Sequence, residues 1–150
     1  MIVEAIRRFI DRYHLDPCGI VVACSGGPDS TADEDFVRAL SASLKLAFHA
    51  GDGTLAGEIV RRSGVEGAAR EVRATRLVAI RDAVAARLIA TAHQKNDQAE
   101  TVIMRMLSGS GLAGMRGIHR YRSDGVIRPL LDVTRSDIER FLASRGIEAR

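Results

Sequence analysis

The chain has 150 residues, 46% hydrophobic and 27% charged, with 14 Gly and no Trp. That make-up suits one compact soluble domain and excludes disorder, which needs fewer apolar residues and a larger charge imbalance. Its 22 Lys and Arg against 19 acids leave a net charge of +3, enough to permit an RNA partner without requiring one. Cys18 and Cys24 are six positions apart, so they form neither a C-x-x-C redox or zinc pair nor a secreted disulfide framework. Glu4, Arg7 and Arg8 interrupt the N-terminal apolar pattern, which excludes a signal-peptide core or a membrane span there and points to a cytoplasmic protein.

Ile2, Ile6, Phe9 and Ile10 recur at helical spacing, and Asp16, Pro17 and Gly19 supply a stop and a turn. Gly19 to Cys24 is a short, β-branched, nearly all-apolar run of the kind that forms a strand covered on both faces. The loop Ser25 to Ser30, reading SGGPDS, follows it. Phe36, Val37, Leu40 and Leu44 then predict a helix, and Leu46 to Ala50 a second strand. Asp52 to Gly57 reads as a loop. Val65 to Ala86 predicts a long helix or a broken pair, with Val72, Leu77, Ile80 and Val84 facing inward. Leu88 to Thr91 is a third short strand, Asp97 to Leu107 a helix, and Gly109 to Gly117 a glycine-rich loop. Val126 and Ile127 give at most a short strand before Pro129. Thr134 with Asp137 resembles a capping box for a last helix with apolar Ile138, Phe141 and Leu142. Strands alternating with helices predict a doubly wound α/β fold, a mostly parallel sheet with helices on both faces, whose ligands bind at the carboxyl ends of the strands.

SGGPDS between a strand and a helix presents unobstructed backbone N–H groups backed by a helix N-terminus, which is a seat for phosphate oxygens. Gly26 and Gly27 allow the tight turn, Ser25 and Ser30 add hydroxyl donors, and Asp29 can hold the magnesium that accompanies pyrophosphate. A plain glycine turn with Ser30 as helix N-cap is the competing explanation. A Walker loop is excluded, because no Lys follows the second glycine. The loop resembles that of the ATP pyrophosphatases, the PP-loop enzymes, which activate an oxygen as an adenylate and release pyrophosphate.

A second constellation lies in TAHQKNDQAETVIMRMLSGSG, from Thr91 to Gly111. It puts His93 just past a strand end and Asp97 and Glu100 in the first turn of the next helix, on one face. Two carboxylates and an imidazole there can bind an ammonium group, accept a proton or hold a metal, and the residue types alone do not choose. They also fit a helix cap with a structural histidine. This stretch resembles the signature of the tRNA(Ile)-lysidine synthetases, as do GSGLAGM, VEGAAREVR from Val65 to Arg73 and IRPLLDVTRSDIERFL from Ile127 to Leu142.

The resemblance implies a ligase that uses ATP and Mg to join free lysine to the wobble cytidine of a tRNA(Ile) with a CAU anticodon. Ser25, Gly26, Gly27, Asp29 and Ser30 would then hold ATP and its metal. His93, Asp97 and Glu100 would bind and orient lysine, and Arg73 would stand beside the reacting groups. Arg105, Arg116 and Arg128, with Arg120 and Arg122, are candidates for tRNA phosphates. Met104, Met106 and Met115 are expected in packing, and His14, His49 and His119 receive no role. A tRNA thiolase of the same fold is the enzymatic alternative, weakened by the absence of a paired cysteine motif; a nucleotide- or RNA-binding module without catalysis is the other.

The chain departs from the family pattern after the phosphate loop. Thr31 runs straight into Ala32-Asp33-Glu34-Asp35, where the family has a further helix and strand. Either those are missing or a mobile segment has been left out, in which case a chain break is expected between Thr31 and Ala32. A direct junction sets three acids above the phosphate seat, and unit charges about 4 Å apart repel by roughly 1 kcal/mol even at the dielectric of water. The expected organisation is one catalytic domain over residues 1–150, without the C-terminal tRNA-binding domains of the family.

Overall fold

The computed structural model describes residues 2–15, 18–24, 30–50, 57–109, 111 and 116–147. Their elements run α1 (Ile2–Arg12), β1 (Ile20–Val22), α2 (Ser30–Ser43), α3 (Gly57–Ala83), β2 (Leu88–Ala90), α4 (Lys95–Leu107), β3 (Val126–Ile127) and α5 (Arg135–Ala143). The three strands form an open parallel sheet in the order β1-β2-β3, and the architecture is α/β. The chain divides into two compact units, Met1–Cys18 with Ala90–Arg150 and Gly19–Ile89, so the boundary falls inside β2. No helix among the described residues is long and apolar enough to cross a membrane.

In the Gly19–Ile89 unit, the amides of Arg87 and Leu88 donate to the Gly19 carbonyl at 2.9 and 3.3 Å. This approach needs glycine, because a Cβ at position 19 would lie 3.0 Å from the Ala86 Cα. Helix α3 packs against β1, and its Ala68 is fully buried. The break in α3 falls at Gly64, with φ 70° and ψ 171°, a conformation that glycine adopts without penalty. The expected Val65 to Ala86 span is therefore one continuous helix as far as Ala83, and the break lies just before it.

Two expectations for this unit fail. Leu46 to Ala50 forms no strand, since extended chain becomes sheet only where a neighbour takes its backbone hydrogen bonds. β1 is not covered on both faces: Val22 is 69% exposed and Ile20 40%. Phe36, Leu40 and Leu44, which share a face of α2 and its C-terminal turn, are also exposed. β1 stands at the edge of the sheet, with no further strand beyond it among the described residues. The anticipated chain break is not found either, since α2 runs unbroken from Ser30 to Ser43 and the Thr31–Ala32 junction lies within it.

In the other unit, α1 packs on α5. Phe9, buried, packs on Tyr13 with the rings tilted by 42° and their centroids 4.7 Å apart, and Tyr13 stacks on Tyr121 at 5.7 Å. Ile127, Leu131 and Val133 are buried with them, which accounts for the apolar IRPLLDV run. The Thr91 amide donates to the Ile127 carbonyl at 3.0 Å, and Tyr121 bridges Ile127 in antiparallel fashion from the other side. The capping box of α5 forms as expected: Thr134 Oγ1 accepts the Asp137 amide and Asp137 Oδ2 accepts the Thr134 amide, both at 3.2 Å.

Burial differences make a direct test. Ile127→Ala removes a fully buried side chain and is expected to cost about 2–5 kcal/mol, whereas Val22→Ala at the open edge costs under about 1 kcal/mol. Urea unfolding of the two variants measures both; an equal loss for Val22 would mean that its face is covered in solution.

Candidate active site

The candidate site in the Ala90–Arg150 part of the chain is a strand-to-helix turn. β2 ends at Ala90, and four residues lead into α4. In extended chain, residues i and i+2 project to the same side, and Thr91 Oγ1 lies 2.9 Å from His93 Nδ1, both half-buried. The imidazole is thereby restrained just past the carboxyl end of β2, where an open α/β sheet binds its ligands. Two residues into α4, Asp97 turns back: its Oδ2 accepts the Gln94 amide at 2.8 Å. Glu100 follows one turn later and is exposed.

Both readings of this constellation therefore meet in Asp97. One carboxylate oxygen satisfies an amide that the helix start would otherwise leave without a partner, and a carboxylate has a second oxygen with which to meet a ligand. Its negative charge also suits the helix N-terminus. Among the described residues no three His, Cys, Asp or Glu side chains gather as a metal site.

Sequence reasoning missed what lies along α4. Gln98 Oε1 accepts the Ile118 amide at 2.6 Å, and Arg105 donates from Nη1 to the Gly117 carbonyl at 3.0 Å. Arg128 donates from Nη1 to the His119 carbonyl. Gln98 and Arg105 are seven residues apart, the spacing that returns to one helix face, which was the available signal. Of the three arginines expected at tRNA phosphates, Arg116 is exposed, Arg105 is half-buried in this contact, and Arg128 is only 9% exposed. Desolvation, followed by the nearby positive charge of Arg122, pushes the Arg128 guanidinium below its ordinary pKa. Arg120 makes a forked ion pair with Asp132, at 2.5 and 2.6 Å, and Arg122 pairs with Asp124. Met104 and Met106, expected in packing, are exposed on α4 beside Ile103 and Leu107.

In the Gly19–Ile89 unit, Ser30 opens α2, so a helix N-terminus does follow the phosphate loop. Ser25, Gly26, Gly27 and Asp29 lie outside the described residues. Arg73 is exposed on α3, and Asp35 is exposed on α2. The described chain thus brings His93, Asp97 and Glu100 into one turn, with Arg73 and Ser30 carried on elements of the second unit.

Residues 30–149 match the family described as the PP-loop domain. This chain belongs to that family. It is also similar to proteins named tRNA(Ile)-lysidine synthase. That of Parabacteroides distasonis is 33% identical over 177 aligned positions, which take in 96% of this chain and 40% of the relative. That of Symbiobacterium thermophilum is 29% identical over 99% of this chain and 39% of its own length. That of Porphyromonas gingivalis is 36% identical over 125 positions, 83% of this chain and 28% of its own. The PP-loop chain described here spans about two fifths or less of these relatives.

In the P. distasonis comparison, 96% of 150 residues is 144, spread over 177 positions, so the relative has 33 positions without a counterpart here. The P. gingivalis comparison, 83% of the chain over 125 positions, has essentially none.

Two outcomes follow for the acids. Asp97→Ala removes the cap and is expected to lower stability by about 1 kcal/mol, whereas Glu100→Ala stays within about 0.5 kcal/mol; thermal unfolding of both measures the difference. The hydrogen bonds from Arg120 hold the Asp132 carboxyl below the usual carboxylate range. A depressed folded-state pKa stabilises the fold above the unfolded value, near 3.9, and that contribution is lost as pH falls through the folded value. The pair is largely exposed, so solvent screening limits it to about 0.2–1 kcal/mol. Asp132→Asn is expected to lower stability by that amount at pH 7 and to match the parent once the pH falls below the folded-state value.

Proposed function

We propose that the chain is the catalytic PP-loop portion of a tRNA(Ile)-lysidine synthase, joining free lysine to the wobble cytidine of a tRNA(Ile) with a CAU anticodon. The observation that carries this reading is the similarity to proteins of that name across 83–99% of the chain. The capped turn of His93, Asp97 and Glu100 at the end of β2 supports it.

In this reading ATP supplies the activation: the C2 oxygen of the base attacks its α-phosphorus and pyrophosphate leaves. The lysine side-chain amine then attacks C2, and the C2–O bond breaks to release AMP. Asp97 and Glu100 bind the cationic groups of lysine. His93, restrained by Thr91, accepts the proton that the amine must lose before it can attack, since an ammonium group carries no lone pair. Arg73 offsets charge developing on phosphate. Ser25, Gly26, Gly27 and Ser30 receive the phosphates ahead of α2, with Asp29 holding Mg. Arg116 meets tRNA phosphate at the surface, Arg105 does so beside its Gly117 contact, and Arg128 does so only if the chain around His119 opens.

A second reading, a nucleotide- or RNA-binding module without catalysis, is favoured by the 33 unmatched positions and by the uncovered apolar residues of β1 and α2. One assay separates the two. AMP release from ATP and Mg should require both lysine and tRNA(Ile), and Glu100→Ala should lower it by at least tenfold without altering ATP binding by calorimetry. Release without lysine, or dependence on a sulfur donor, would contradict the ligase reading. Absence of ATP binding by the parent chain would favour the module.

A further inference from the structure

Gly117 to His119 is held by side chains where strand or helix would ordinarily hold it. Two peptide groups are engaged: the Gly117–Ile118 group at both ends, its carbonyl by Arg105 and its amide by Gln98, and the His119–Arg120 group through its carbonyl by Arg128. Two of these side chains project from one face of α4, the helix whose first turn carries Asp97 and Glu100. The glycine completes the fit. Gly117 is buried at φ +67°, and a Cβ there would lie 2.4 Å from Gln98 Nε2 and 2.8 Å from its Cδ. Gln98 thus packs on the bare α-carbon of Gly117 while its carbonyl receives the next amide.

We propose that Gln98 is a positioning residue that locks the Gly117–Ile118 backbone to α4 and so fixes where the segment after the glycine-rich stretch lies relative to Asp97 and Glu100. The assignment rests on the lysine-binding reading of those acids for its kinetic consequence, though not for the lock itself. Gln98 stands between them in sequence, on a different side of the helix: successive residues are about 100° apart, so Glu100 projects roughly opposite to it. One face of α4 grips the returning chain and leaves the other free for a ligand. A half-buried amide left without an acceptor is destabilising, so the chain has reason to keep this contact while the ligand face stays solvated. Gln98 touches no reacting atom in this scheme; it acts through the placement of its neighbours.

The experiment compares the parent chain with Gln98→Leu, Gln98→Glu and Gly117→Ala. In Gln98→Leu, hydrogen exchange at the Ile118 amide is expected to rise at least tenfold, and the KM for lysine to rise several-fold with kcat changed less than twofold and ATP binding unchanged. Gln98→Glu keeps an acceptor oxygen and should restore both. Gly117→Ala, which pushes a methyl into Gln98, should reproduce the loss. Unchanged Ile118 exchange in Gln98→Leu overturns the lock. Faster exchange with an unchanged lysine KM overturns the positioning role. If the parent forms no lysidine, the functional reading fails by itself, and the lock stands or falls on the exchange rates of folded Gln98→Leu and Gln98→Glu.

Discussion

A single hydrogen bond, from the Gln94 amide to the Asp97 carboxylate, decides where α4 begins and how the chain leaves β2. A helix start leaves four amides without intrahelical partners, and here an acid two residues inside the helix takes one of them back. Because the turn before it is only four residues long, fixing its end also fixes the path on which Thr91 restrains His93. The carboxylate expected to bind a substrate ammonium is therefore the one that shapes its own site. Under the proposed function, structural and chemical duties fall to different oxygens of one side chain, so that substitutions at Asp97 would disturb both.

Downstream, the same helix gathers the rest of its unit. Gln98 and Arg105 hold Gly117 and Ile118, Arg128 holds His119, and the Arg120–Asp132 fork lies in the same stretch. Arginine predominates in these contacts, which changes the meaning of the basic composition. A net charge of +3 permitted an RNA partner without requiring one, and Arg105 and Arg120 are engaged in internal contacts, Arg122 pairs with Asp124, and Arg128 is nearly buried. Planar guanidinium groups with several donors suit the capture of backbone carbonyls as well as of phosphates.

Local signals were legible wherever local physics decides. Thr134 with Asp137 announced the cap of α5, the apolar Leu88 to Thr91 run announced buried β2, and the His93 to Glu100 spacing announced the turn. Non-local pairing decided the rest. Leu46 to Ala50 has the composition of a strand but no neighbour to pair with, and Ile20 and Val22 have the composition of a covered strand but stand at an open edge. The direct junction at Thr31 was visible in the sequence, and the exposed apolar residues of α2 follow it. Gln98 escaped notice because its partner lies twenty residues away; the seven-residue spacing to Arg105 marks a shared helix face but not what that face holds.

The account joins a capped strand-to-helix turn to one chemical act, attack of a lysine amine on an activated base. Its most direct test is incubation of the chain with ATP, Mg, isotopically labelled lysine and tRNA(Ile) bearing a CAU anticodon, followed by nuclease digestion and mass spectrometry of the nucleosides. Label on a cytidine-derived nucleoside, absent when lysine or ATP is withheld and lost in Asp97→Ala, is the expected result. ATP consumption that leaves every nucleoside unlabelled would contradict it.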